Sequence, residues 1–276
     1  MPESLSQNAL PNYEHPPVVE TVLGVQFDRL PGFRNAHLGA FWKSLDTDEW
    51  PAVDDVPLLP SQFERFDETA RWAKGIRFRL SQDPACRQQI KNKEGNRMIQ
   101  VQNGRLHFNW LGESGSDYPR HEKVRDGFDA ALRRFIEFVG KENLGDFRPN
   151  QWEVTYVNHI LKGTVWNQPD DWTFFRLAGS LPTIENLVQG ESFTGEWHFR
   201  LPDKRGRLHI DWQLARKADP GEREDEFVRL SLTARGGAED LQSVGDGLDF
   251  GRATIVRSFR NLMSDEANRF WGLKDA

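Results

Sequence analysis

Hydrophobic and polar residues alternate over Arg97 to Trp110, and the run breaks once, at Asn103-Gly104. Asn-Gly suits the two positive-φ positions of a type I′ turn, so the alternation reads as a β-hairpin with a two-residue loop. The loop sets the register: Gln102 opposite Arg105, Val101 opposite Leu106, Gln100 opposite His107, Ile99 opposite Phe108 and Met98 opposite Asn109. Ile99, Val101, Leu106, Phe108 and Trp110 then share a core face. Gln100, Gln102, Arg105, His107 and Asn109 share the other, as expected of a sheet covered by helices on one side only.

Gly206-Arg-Leu-His-Ile-Asp-Trp212 repeats Gly104-Arg-Leu-His-Phe-Asn-Trp110 in type at every position, and the elements around the two copies run in a similar order. Val18 to Phe27 reads as a strand, with Val19, Leu23, Val25 and Phe27 on one side, ended by Pro31-Gly32. Asn35 is placed to cap a short helix through Leu38, Phe41, Trp42 and Leu45. Asp46 to Asp67, with Pro51, Pro57 and Pro60, reads as a long irregular connection holding a short strand near Phe63. Arg71 to Leu80 reads as a strand. A long helix then starts with Asp117 as cap and Pro119 in its first turn, buries Val124, Phe128, Leu132, Phe135 and Val139, and ends with Gly140 at C′. In the second half, Trp152 to Ile160 is a strand and Asp170 or Asp171 caps a short helix through Trp172 and Phe175. Alternating runs follow at 193–201, 207–216 and 226–235. A closing helix spans Phe250 to Met263, and Ser264 caps a last turn with Phe270 and Trp271.

This order predicts an α+β fold: a tandem pseudo-repeat of strand, short helix, antiparallel strands and long helix, with the helices on one face of a curved antiparallel sheet. Residues 1–16 read as a flexible arm, 17–148 as the first repeat and 149–276 as the second, forming one continuous globular unit.

Composition narrows the function. With one cysteine, Cys86, no intrachain disulfide framework can form. There is no signal-peptide pattern and no apolar run long enough to span a membrane, so a soluble cytoplasmic protein without a membrane partner is expected. A net charge of −6 disfavours general nucleic-acid binding. The ten Trp and nineteen Phe fall mostly at inward positions of the expected elements and are assigned to the core.

Three strings carry a resemblance over nearly the whole chain: Pro16-Pro17-Val18-Val19-Glu20, Tyr156-Val157-Asn158-His159-Ile160, and Val256 to Phe259 followed by Trp271-Gly272. With them the chain resembles an uncharacterised, sporadically distributed bacterial protein family of roughly this length. His159 stands where that family's pattern has Arg, and the resemblance brings no catalytic residues.

The candidate chemistry lies on the polar face of the two hairpins. His198, His209 and Asp211, near Glu196 and Arg200, could bind a metal or act as acid and base in a hydrolase of the phosphoester type. No HExxH, no phosphate loop and no nucleophile elbow accompanies them. Arg105, His107, Asn109, Glu196, Arg200, Arg207, Arg229, Thr233 and Arg235 give the same face many donors, fit for an anionic ligand, a protein partner or nucleic acid. In His198's hairpin a four-residue loop puts it opposite Asp211, and a tighter one opposite His209. The leading expectation is a non-enzymatic binding protein that uses this face, with no cofactor and no resident metal.

Overall fold

The computed structural model describes residues 9–60, 64, 66, 86–114, 118–168, 171–177, 191–192, 194–217 and 225–274. Its elements are β1 (Asn12–Tyr13), β2 (Val18–Phe27), α1 (Asn35–Ser44), β3 (Ala52–Pro57), β4 (Cys86–Lys91), β5 (Arg97–Gln102), β6 (Arg105–Leu111), α2 (His121–Lys141), β7 (Pro149–Leu161), β8 (Thr194–Arg200), β9 (Arg207–Lys217), β10 (Asp225–Gly237), α3 (Leu241–Leu262), α4 (Asp265–Phe270) and β11 (Leu273–Lys274). Nine of these strands form one antiparallel sheet in the order β3-β4-β5-β6-β2-β7-β10-β9-β8, and β1 pairs separately with β11. The fold is thus α+β, as the residue pattern predicts. No helix among the described residues is long and apolar enough to cross a membrane.

The first hairpin has the register set by its Asn-Gly turn, from Gln102↔Arg105 to Met98↔Asn109. Gly104 takes φ 101°, which its lack of a side chain permits, but Asn103 does not take positive φ, so the loop is not the type I′ turn expected. The Asn103 side chain instead bonds the N–H and C=O of Leu30. The second hairpin puts His198 opposite His209 and Glu196 opposite Asp211, but not through the tighter loop expected: residues 201–206 connect the strands, with a 3-10 turn at Pro202–Lys204. The sequence echo falls on β6 and β9, which hold different places in the sheet. β6 lies beside β2, whereas β9 is separated from β7 by β10.

Both long helices cover the sheet face that carries Leu23, Phe108 and Val154, which are direct neighbours on β2, β6 and β7. Glycines set how close the helices come. A Cβ on Gly127 of α2 would lie 2.4 Å from Phe108 Cζ, and one on Gly247 of α3 would lie 2.2 Å from Trp152 Cδ1. Trp152 is 3% exposed, so α3 seats directly on its indole. α3 accordingly begins at Leu241 rather than Phe250, capped by Asp240, whose side chain accepts from Ser243 N at 2.7 Å. The low helix propensity of Gly245 and Gly247 makes the chain before Phe250 read as loop, and the contact with Trp152 overrides that.

Other boundaries also move. α1 is capped by Arg34, whose backbone N–H donates to His37 Nδ1 at 2.8 Å, rather than by Asn35. α2 starts at His121; the expected cap Asp117 lies outside the described residues. Gly140 sits inside α2, and Asn143 with φ 53° takes the left-handed position after it. Leu144 N–H reaches Val139 O and Asn143 N–H reaches Gly140 O, the pair of bonds of a Schellman end. β3 occupies Ala52–Pro57, within the stretch expected to be irregular. The strands expected at Phe63 and at Arg71 to Leu80 lie outside the described residues. β4 carries no apolar alternation to mark it, since Ile90 is its single fully buried apolar side chain. Residues 171–177 form turns instead of a helix, with Phe175 bridged to Met263. Of the expected flexible arm, residues 12–13 are ordered as β1, and Tyr13 is buried.

Two helical glycines give opposite expectations. Gly140→Ala meets nothing within 4 Å and should stabilise the protein by up to about 1 kcal/mol. Gly247→Ala gains the same propensity but overpacks Trp152, for a net loss of about 1–3 kcal/mol. Urea unfolding of both variants checks the contrast.

Candidate functional site

The polar face opposite the helices is organised as lines of side chains running across the strands. Gln100, His107, Gly24, Glu153, Arg235, Arg207 and Arg200 stand in one such line, each the direct partner of the next. Asn109, Val22, Thr155, Thr233, His209 and His198 form the next line. Gln102, Arg105, Gln26 and Gln151 form a third.

These side chains are not a solvated surface. Arg105, His107, Asn109, Arg207 and Thr233 are all buried, with Arg105 and Arg207 only 4% exposed. Arg235, Arg229, His198, His209 and Asp211 are partly buried, while Glu196 and Arg200 at the edge strand are exposed. The correction has a physical cause. Buried polar groups need partners, and this face supplies them internally. Arg105 Nη2 donates to Gln26 Oε1 at 2.8 Å, Gln100 Nε2 to Asn109 Oδ1 at 2.8 Å, and Asn109 Nδ2 to Glu20 Oε1 at 2.5 Å. The Thr155 and Thr233 hydroxyls pair at 2.8 Å. Gln102 bonds both the N–H and the C=O of Leu59, taking a partner from outside the sheet.

Two carboxylates hold the cations. Arg235 Nε donates to Glu153 Oε2, and its Nη1 lies 3.2 Å from Glu64 Oε1. Arg207 Nη1 lies 3.1 Å from Glu64 Oε2, and His209 Nε2 lies 2.9 Å from Glu64 Oε1. Glu64 belongs to no strand; its backbone N–H is fixed by Gln151 Oε1 at 3.3 Å. Burial alone would raise both carboxyls. For Glu153 the charges of Arg235, His107 and Arg105 more than reverse that, bringing it to about 2. For Glu64 the contacts with His209, Arg235 and Arg207 do the same, also to about 2.

Gly24 explains how His107 enters this line. A Cβ there would lie 2.6 Å from His107 Cδ2, so the imidazole fills the gap that the glycine leaves and comes within 3.6 Å of Glu153. Burial pushes the His107 pKa down to about 4, with the attraction of Glu153 outweighed. The ring is therefore neutral at pH 7.

The predicted catalytic trio does not converge. His198 Nδ1 and His209 Nδ1 face each other at 2.9 Å, His209 turns its other nitrogen to Glu64, and Asp211 pairs with Arg229 at 3.4 Å. Burial raises the Asp211 pKa despite Arg229. Among the described residues no group of three or more His, Cys, Asp or Glu is arranged to hold a metal ion.

Sequence reading missed Glu64, Glu153, Gln26, Gln151 and Gly24. A glycine inside a strand with no turn nearby was a usable signal for Gly24, and strand alternation puts Glu153 on the polar face. Nothing in the local sequence marks Glu64.

The titrations predict a two-limbed acid profile. His107 has a folded pKa near 4 against an ordinary 6.5, so the folded state resists its proton and stability falls as pH drops from about 6.5 to 4. Glu64 and Glu153 have folded values near 2 against 4.5, so their contribution is present above 4.5 and lost as pH falls towards 2. His107→Gln should flatten the upper limb and leave the lower one; His121, also held near 4 by burial and Arg252, supplies the rest of the upper limb. Urea midpoints measured from pH 8 to pH 3 check this.

Comparison of the chain with protein-family models, with curated proteins and with solved structures finds no match.

Proposed function

We propose that the chain is a non-enzymatic binding protein whose contact region is the polar sheet face over β7, β10 and β9, where a partner protein places an acidic side chain. The observation that carries this reading is Glu64. Its carboxylate, brought from outside the sheet, lies within 2.9–3.2 Å of donors on His209, Arg207 and Arg235. A partner's carboxylate would find the same three donors, and charge-assisted contacts of this kind are the strong ones. Arg200, Arg229 and Glu196 stand at the margin of the face as a polar rim. Trp197 and Phe199, exposed on strand β8, point to the opposite face of the sheet and lie outside this contact region.

Membership of the sporadically distributed bacterial family, a cytoplasmic location and a tandem pseudo-repeat origin belong to the same proposal. The strand order supports the last, because β2 and β7 are central neighbours and each has beside it the strand that precedes a long helix. The hydrolase reading gains less from this geometry, since the two imidazoles bind each other and Asp211 binds Arg229.

The test uses fluorescent oligo-aspartate and oligo-lysine peptides at low salt. Glu64→Gln removes the internal competitor, so it should bind oligo-aspartate about tenfold tighter than the unaltered chain, a gain of about 1.4 kcal/mol. Arg200→Glu combined with Arg229→Glu, at the partly exposed rim, should weaken that binding while the protein stays folded. Failure of both the native and the Glu64→Gln chains to bind oligo-aspartate, or equal binding of oligo-lysine, would overturn the reading.

A further inference from the structure

A cavity of about 410 Å³ lies on the opposite side of the sheet from the polar row, between the first described residues, the start of α2 and the face of α3. Small-molecule sites typically measure about 300–1,000 Å³ and combine an apolar lining with a few convergent polar groups. This cavity has both. Leu10, Val18, Leu232, Ile255, Val256 and Phe259 supply apolar wall.

The polar groups gather together. Tyr118 and Tyr156 hydroxyls are 3.1 Å apart, and Arg252 Nη1 is 3.2 Å from Glu122 Oε1. Arg252 and Glu122 are close enough to act electrostatically on both phenols. His121 lines the same space with its ring 4% exposed and no hydrogen bond to either nitrogen; the nearest carboxylate, on Asp249, is 3.7 Å away.

The outer wall is fastened in an unusual way. Arg120, the residue before α2, has φ 71° and ψ 152°, a conformation essentially reserved for glycine, and makes no side-chain cap. Its guanidinium instead donates to Asn12 Oδ1 at 2.7 Å and Tyr13 O at 3.3 Å. Tyr13 Oη donates to Asn268 Oδ1 at 2.6 Å, and Glu14 and His15 N–H groups bond Gly272 and Trp271 carbonyls. Backbone strain is thus accepted to hold the β1 segment across the cavity.

Among the described lining residues the ionised groups are Arg120, Arg252 and Glu122. Arg120 is committed to the β1 segment. Arg252 is held by Glu122, whose side chain is 67% exposed, and a pair of this exposed kind is weak. A ligand carboxylate can therefore replace Glu122 on Arg252, at the positive end of α2.

We propose that this cavity binds a small amphipathic monoanion, a carboxylic acid with an apolar body, whose carboxylate meets Arg252 beside Tyr118 and Tyr156 and whose body lies along Ile255, Val256 and Phe259. The site is separate from the Glu64 cradle and does not depend on it.

Calorimetric titration of the full chain at pH 7 with octanoate, octanol and octylamine tests this. Octanoate should bind, octanol about tenfold more weakly, and octylamine not at all. Arg252→Gln should weaken octanoate about tenfold and leave octanol unchanged, whereas Glu122→Gln, which releases Arg252, should tighten octanoate severalfold. Val256→Trp, filling the apolar end, should abolish binding of both, with thermal melts confirming that each variant is folded. No octanoate binding at millimolar concentration, octanol binding as tightly as octanoate, or retained binding by folded Val256→Trp would overturn the proposal.

Discussion

Arg207 and Arg235 stand directly opposite each other on β9 and β10, a like-charge pair that by itself opposes the pairing of those strands. The fold answers it with two carboxylates, Glu153 from the neighbouring strand and Glu64 from outside the sheet. Both sides of this arrangement are largely buried, so removing either partner would leave a charge in a medium that solvates it poorly, a loss of about 3–5 kcal/mol for such pairs. The register of β7, β10 and β9 and the position of Glu64 are therefore bound together.

Strand β7 links this polar interior to the helical face. Trp152, Val154 and Tyr156 point to the helices, and Gln151, Glu153 and Thr155 to the polar face, because successive side chains of a strand alternate. Slipping β7 by one residue would put Glu153 under α3 and Trp152 among the arginines. Few registers can be as heavily penalised as one that exchanges a buried charge for a buried indole. Glycines make the two close approaches possible: Gly247 lets α3 onto Trp152, and Gly24 lets His107 reach towards Glu153.

The two candidate sites differ in kind. The arginines of the Arg and His face are paired within it, so anything binding there must compete with Glu64. The cavity beside α2 has apolar walls, a buried imidazole without a hydrogen bond and a strained residue holding its cover, features that internal packing alone does not require.

What the sequence determined by itself was local. The Asn-Gly pair marked the first hairpin and its register, since the left-handed angle at Gly104 favours glycine, although Asn103 did not take the positive φ of a type I′ turn. Apolar spacing marked β2, β7, β9, β10 and α2, and hence the α+β class, and named the buried stripe of α2 and, in β2, Leu23, Val25 and Phe27; the bulge beside Val18 put Val18 rather than Val19 in the core. Its errors came where local preference lost to contact: Gly245 and Gly247 look like loop until Trp152 lies beneath Gly247, and Asn143 took the helix end expected at Gly140. Only the tertiary structure decided that the polar face is buried and paired, because exposure depends on what crosses a strand and not on the strand's own alternation. The meeting of Glu64 with Arg207, Arg235 and His209 joins residues remote in the chain. The cavity likewise needs β1 brought against β11, and no short-range pattern specifies either encounter.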